Sequence, residues 1–318
     1  MQLPELRYVE MKIAFHVHPT RFHWRSSAPT EAEQSKLFHW VAQQEFDGVD
    51  ISDSWPFDTL GKTDAIRTRE LAAAYGLQIP TISCMGKTLC HSELGEANLQ
   101  ALMRALDTAS WLNAQVVNVA LAIPRTPGVN PVMGLEHSPG GSKGASNEDF
   151  AMTAQRLRQL AHMARERGLS LSIEMHDRSL ADTSASLLRI LDEVNESNVG
   201  ANPDLCNGYR AYSVPSEPWF EALQKLAPRS NLWHVNNMQR VYFEELNRAV
   251  FVERPLGEGD VDYRRAVKIM QDAGFNGWTV LEYKGSGDAF ETLEQGQKYL
   301  RKVLDTESAL PQHTLINQ

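Results

Sequence analysis

The feature of this sequence that most limits its fold is a repeat of short, β-rich apolar runs, each followed by a polar turn and a stretch of helical periodicity. The runs are KIAFHV from Lys12, DGVDIS from Asp47, LQIPTIS from Leu77, QVVNVAL from Gln115, LSLSIEM from Leu169, VGANPD from Val199, LWHVNNM from Leu232 and WTVLEY from Trp278. They are eight in number and recur about every 38 residues, the size of one strand–helix unit in a parallel barrel. The expected fold is therefore an α/β (β/α)₈ TIM barrel. Its expected extent is a single domain over 1–318, with a long loop insertion at about 121–146.

Helix signals separate the runs. Thr30 with Glu33, and Ser146 with Asp149, have capping-box spacing, while Gly76, Gly168 and Gly274 suit the left-handed position just past a helix end. In the segment from Glu148 to Gly168, Phe150, Met152, Leu157, Leu160, Ala161 and Ala164 are expected to form the stripe that packs on the barrel wall. Two connections are long. Leu121 to Ser146 is rich in Gly, Pro and Ser, with the length of a lid or subunit contact, and Arg240 to Asp262 contains PLGEGDVD.

Composition narrows the partners. With 42% hydrophobic and 22% charged residues the chain can bury a sizeable core, and disorder is excluded as its main state. Lys plus Arg number 31 against 40 Asp plus Glu, a formal net charge of −9, which opposes nonspecific binding to nucleic acid. Three cysteines, Cys84, Cys90 and Cys206, lack the count and spacing of a disulfide framework or a zinc ribbon. The N-terminus has no export-signal pattern and no stretch has membrane-span length, so a cytoplasmic location and no membrane partner are expected. Met11 falls just before the first run, which leaves residues 1–10 as a short extension.

Chemistry gathers at the ends of the last four runs. Glu174, Asp204, His234 and Glu282 stand at or near the C-terminal ends of the fifth to eighth strands, where a barrel places its active-site groups. Three carboxylates converging in a partly buried mouth repel one another unless a cation compensates. A divalent ion is expected, and the oxygen-rich set with one nitrogen favours Mn²⁺, with Mg²⁺, Co²⁺ or Zn²⁺ as alternatives. A metal that polarises a carbonyl stabilises the charge developed when a neighbouring C–H is deprotonated, and carboxylates can move that proton.

The segments IEMH around Glu174, PDLCN around Asp204, WHVNN around His234 and GEGDVDYRRAVKIMQDAGFNGWTVLEY ending near Glu282 resemble the xylose-isomerase-like family of sugar isomerases and epimerases. The resemblance covers nearly the whole barrel. It implies metal ligation by Glu174, Asp204, His234 and Glu282, with Glu174 and Glu282 also exchanging protons with a sugar. Arg240, six residues after His234, matches a substrate-binding arginine of the ketose 3-epimerases, and its guanidinium could donate to a sugar.

His176 shares the strand face of Glu174, and with Arg240, Asn207 and His16 it is expected to contact substrate. His18, Cys84 and Trp55 are weighed between pocket lining and packing. Two departures stand out: ketose 3-epimerases carry a glutamate where this chain has Leu180, and a histidine where it has Asn207.

The leading expectation is a divalent-metal-dependent sugar isomerase or epimerase working by proton transfer next to a carbonyl. The alternative is a dehydratase or lyase that uses the same groups for β-elimination on an oxidised sugar or glycoside. No dinucleotide, P-loop or nucleophile-elbow fingerprint appears. An apurinic-site endonuclease would need more histidine ligands and a basic face. A noncatalytic sugar-binding barrel leaves the four ligand candidates unexplained. The expected partner is a small sugar or sugar derivative, with a homo-oligomer or a partner subunit also possible.

Overall fold

The computed structural model describes residues 11–18, 22, 24, 27–57, 59–121, 141–210, 217–246 and 248–309. Eight parallel strands form the barrel: β1 (Lys12–Val17), β2 (Gly48–Ser52), β3 (Gln78–Cys84), β4 (Val116–Val119), β5 (Ser170–Glu174), β6 (Val199–Asn202), β7 (Leu232–Val235) and β10 (Trp278–Leu281). The ladder runs β6–β5–β4–β3–β2–β1–β10–β7, every pair parallel. Closure falls between β6 and β7. There a single bridge, Ala201 to Ser230, joins the edges, and the Asn231 N–H reaches the Ala201 carbonyl at 3.1 Å.

The helices are α1 (Glu31–Gln43), α2 (Lys62–Ala74), α3 (Gly95–Trp111), α4 (Asn147–Glu166), α5 (Ser184–Val194), α6 (Leu205–Tyr209), α7 (Trp219–Leu226), α8 (Tyr263–Asp272) and α9 (Ala289–Ala309). Thr30/Glu33 and Ser146/Asp149 form both halves of their capping boxes. Gly76, Gly168 and Gly274 have φ of 76°, 70° and 76°, the left-handed turn that ends α2, α4 and α8. The α4 stripe differs from expectation at one place. Met152 is 44% exposed, and Thr153 and Ala154 face inward instead. The helical repeat of 3.6 turns position 152 away from the line through Phe150, Leu157 and Leu160, and its hydrophobicity does not alter that geometry.

Alternation along each strand divides the interior in two. Ile13, Phe15, Val17, Val49, Ile51, Val117, Val119, Leu171, Ile173, Trp233 and Leu281 pack outward against the helices in one continuous core. The other face points into the barrel, where Ala14, Val116, Leu232, Trp278 and Val280 form a small apolar cluster. Above it, toward the strand ends, the interior becomes polar, with His16, Asp50, Ser83, Asn118, Glu174, Asn202 and His234 all buried.

The run LWHVNNM divides in two. Strand β7 stops at Val235, and β8 (Asn237–Phe243) pairs antiparallel with β9 (Arg248–Arg254), a hairpin in a region read from sequence as a loop. Of the 121–146 connection, residues 122–140 lie outside the described residues, as do residues 1–10; its end carries a 3₁₀ turn at Ser142–Gly144. Among the described residues no helix is long and apolar enough to cross a membrane.

Candidate metal centre at the barrel mouth

Glu174 is the last residue of β5, Asp204 directly precedes α6 just after β6, His234 lies within β7, and Glu282 follows β10. Glu174, Asp204 and His234 each offer an oxygen or nitrogen atom within 4.8 Å of the others, and all three are buried. Glu282 Oε1 lies 2.8 Å from His234 Nδ1, and Glu174 Oε2 lies 3.7 Å from the same nitrogen. Neither contact is aligned as an N–H···O bond, so both ring nitrogens of His234 are buried without a hydrogen-bond partner.

The surrounding shell consists of amides that hold these carboxylates in place. Asn118 donates to Glu174 Oε2 at 2.7 Å, and Asn207 to Glu174 Oε1 at 3.1 Å and to Asp204 Oδ2 at 2.7 Å. Asn236 donates to both Asp204 oxygens at 3.1 Å and to Glu282 Oε2 at 3.5 Å. Asn202 crosses the barrel seam. Its Oδ1 accepts the His234 backbone N–H at 2.7 Å while its Nδ2 donates to Asn118 Oδ1 at 3.2 Å.

Burial pushes the Asp204 carboxyl upward, with Glu282 and Glu174 adding to the effect and Lys284 and Arg210 opposing it. Burial also acts to raise Glu282, but Lys284, His16 and His234 hold that carboxyl well below its usual range. For His234 the order reverses: burial lowers the imidazole, yet Glu282 and Glu174 lift it to about 9. The cluster therefore has excess negative charge and draws a cation, whether a proton on His234 or a metal ion.

The other expected residues fall in distinct places. His16 is buried, with Nδ1 2.5 Å from Asp50 Oδ2 and Nε2 3.6 Å from Glu282 Oε1; Asp50 also accepts from Ser83 at 2.9 Å. Asn207 holds two carboxylates, while its own Oδ1 has no partner. His176 is buried, with its Nδ1 2.9 Å from the Asp177 carbonyl oxygen. Arg240 is on the hairpin; its N–H is held by Asp260 at 2.8 Å and its guanidinium lies 5.9 Å from the Tyr242 ring.

Among the remaining candidates, His18 is pushed down to about 2, first by burial and then by His16 and Lys284. Burial raises the Cys84 thiol, and Trp55 is buried edge-on to Trp24 at 5.4 Å. Leu180 is buried.

Two cations in the site were not foreseen. Lys284 Nζ is 2.8 Å from Glu282 Oε2 and 3.7 Å from Asp204 Oδ2; burial and Arg210 lower it, but these carboxylates outweigh them and raise it. Arg210 is buried 3.4 Å from Glu253 and 3.7 Å from Asp177. Lys284 stands two residues after Glu282, and that spacing was the available signal. Asp50 and Asn118, polar residues inside apolar strand runs, were readable in the same way.

The GEGD segment has a structural role. Asn237 donates to the carbonyls of Leu256 and Val261 at 2.7 and 3.0 Å and accepts from the N–H groups of Met238 and Val261 at 3.0 and 3.1 Å. A Cβ at Gly259 would come within 2.1 Å of Asn237 Oδ1, so only glycine permits this approach. The motif thus fixes the backbone next to Asn236, which holds Asp204.

Comparison with known proteins agrees with this architecture. An inosose dehydratase of Klebsiella pneumoniae is 25% identical over 171 residues, covering 50% of this chain and 56% of that protein, so the chain spans about half the length of this relative. An inosose dehydratase of Clostridium perfringens is 22% identical over 81% of this chain and 85% of its own. A 3-dehydroshikimate dehydratase of Bacillus anthracis is 26% identical over 42% of this chain and 49% of its own.

Among solved structures, a xylose isomerase-like TIM barrel protein from Mycobacterium smegmatis in complex with magnesium superposes with a TM-score of 0.81 at 25% identity, over 93% of this chain and 97% of that one. A 3-keto-D-glucoside 4-epimerase from E. coli shares the fold, with a TM-score of 0.64 at 17% identity over 92% of this chain and 100% of its own. Residues 38–303 match the family profile itself, and the chain belongs to the xylose isomerase-like TIM barrel family.

Proposed function

We propose that this chain is a divalent-metal-dependent enzyme that removes a proton next to the carbonyl of a sugar or cyclic polyol and expels a neighbouring oxygen substituent, as a dehydratase or related lyase. The observation that carries the reading is the approach of two buried glutamates to one imidazole, at 2.8 and 3.7 Å, beside Asp204. The residues suit a divalent ion: His234 has two buried ring nitrogens without a hydrogen-bond partner, and the carboxylates supply hard oxygen donors. Glu174, Asp204, His234 and Glu282 would hold it. When bound, the ion would polarise the substrate carbonyl and stabilise negative charge on its oxygen.

Glu282, kept ionised by Lys284, is the base that takes the C–H proton. The C–H electron pair becomes the carbon–carbon double bond as the neighbouring C–O bond breaks, and the departing hydroxide leaves as water with a proton from Lys284, which regains one from Glu282 at 2.8 Å. Lys284 places an N–H donor where that oxygen gathers charge. Elimination is favoured over epimerisation by the unlike settings of the two glutamates. Glu174 accepts hydrogen bonds from the Asn118 and Asn207 amides, whereas Glu282 has an ammonium beside it. The dehydratase relatives, and Leu180 and Asn207 at the two departures from the ketose 3-epimerases, support the same choice. Epimerisation is the second reading, supported by the presence of two carboxylates beside His234 that could each move a proton.

The test is turnover of inososes, 3-keto-glycosides and ketoses in deuterium oxide with Mn²⁺ or Mg²⁺. An unsaturated product is expected, and Glu282→Gln should lower the rate by roughly 10²- to 10⁴-fold. A stereoinverted, deuterated product with no unsaturation would establish the epimerase instead. Wild-type rates in both Glu282→Gln and Glu174→Gln would remove the glutamates from the chemistry.

A further inference from the structure

The inner face of the β8–β9 hairpin is built into the protein. Met238 and Ala249 are buried, Phe251 packs on the core, and Glu253 pairs with Arg210 at the barrel mouth. The opposite face is bare. The register sets Val241 across from Val250 and Gln239 across from Val252, with Phe243 next along the same face. Val241, Phe243, Val250 and Val252 are 46%, 43%, 52% and 56% exposed, and Leu246 at the tip is 67% exposed. Of the nine large hydrophobic side chains exposed among the described residues, six lie in this hairpin, counting Tyr242. Chance scatter of surface hydrophobics does not concentrate them in this way.

We infer that this outer face is a two-fold interface with a second copy of the chain, the two hairpins stacking face to face about the Val241–Val250 pair. Three observations select a second copy. The centre of this face, Gln239, Val241, Val250 and Val252, carries no charge, and the arginines that the register sets on it, Arg248 across from Phe243 and Arg254 across from Asn237, stand at its two ends, so a two-fold at the Val241–Val250 pair joins the copies through uncharged side chains. Two ribbons stacked face to face bury side chains that the barrel leaves in water on the outer side of the hairpin. The exposed apolar side chains amount to on the order of 450 Å² per copy, so a pair with its polar rim reaches the ~1,000 Å² that a specific interface needs. Dimerisation would also clamp the hairpin from outside, fixing Glu253 against Arg210 at the mouth of each barrel.

Sedimentation of the full-length protein at micromolar concentration tests this. The wild type should sediment as a dimer or a larger assembly. The double variant V250E/V252E should fall to a smaller assembly, with its dissociation constant raised at least ~100-fold and its circular dichroism unchanged, because both positions are on the surface. A wild type that stays a single chain, or a double variant with the wild-type mass, overturns the inference. Should the double variant aggregate, V250C in a C90S background decides: a mild oxidant should cross-link it into a covalent dimer while C90S alone, with Cys84 and Cys206 buried, does not cross-link. V250C remaining uncross-linked overturns the inference equally.

Discussion

Removing the Asn202 side chain should show how much the barrel seam contributes to the site. Backbone pairing between β6 and β7 is reduced to one bridge, and the Asn202 amide spans the remaining gap. In Asn202→Ala the His234 N–H loses its 2.7 Å acceptor and stays buried, at a cost of about 1–3 kcal/mol. The bond to Asn118 at 3.2 Å goes too, worth about 0.5–1.5 kcal/mol. Together these give a loss of about 2–4 kcal/mol. For a chain of this length that is a fall of roughly 3–6 °C in melting temperature, read by calorimetry in excess chelator so that metal binding does not contribute. Divalent-metal affinity should fall as well, because Asn118 orients Glu174 and the freed N–H lies on His234 itself. A melting temperature within about 1 °C of wild type, with unchanged metal affinity, would refute the argument that this amide closes the barrel and sets the site.

Gly259→Ala should destabilise by at least about 2 kcal/mol, since the new methyl displaces Asn237 from four hydrogen bonds; wild-type thermal stability would contradict that contact. Mn²⁺ at one hundred times its dissociation constant should stabilise the wild type by about 2.7 kcal/mol, and His234→Ala should abolish the metal-dependent shift. A shift of equal size in the variant would exclude His234 from the site.

Several parts of the site were legible because their signals are local. The ligand candidates stood at the ends of consecutive strand runs, and the runs themselves could be counted from their period. The hairpin was hidden. WHVNNM reads as one continuous run, and its interruption at Asn236 depends on the Tyr263 hydroxyl, 27 positions away in the sequence, which accepts the Asn236 N–H at 3.2 Å and donates to its carbonyl at 2.7 Å. Met152 was misplaced for the opposite reason: its hydrophobicity suggested burial, and the angular position on α4 decided exposure.

The sequence by itself determined the alternating strands and helices, the caps that end them and the residue types gathered at the mouth, since each depends on neighbours within a few positions. Tertiary structure alone decided which polar groups meet: Asn118 with Glu174, His16 with Asp50, Arg210 with Glu253, and Asn202 with His234 across the seam. These partners are separated by tens of residues, and only the strand register brings them together. A slip of one residue would turn every such side chain to the opposite face, and no local pattern encodes the register that prevents it.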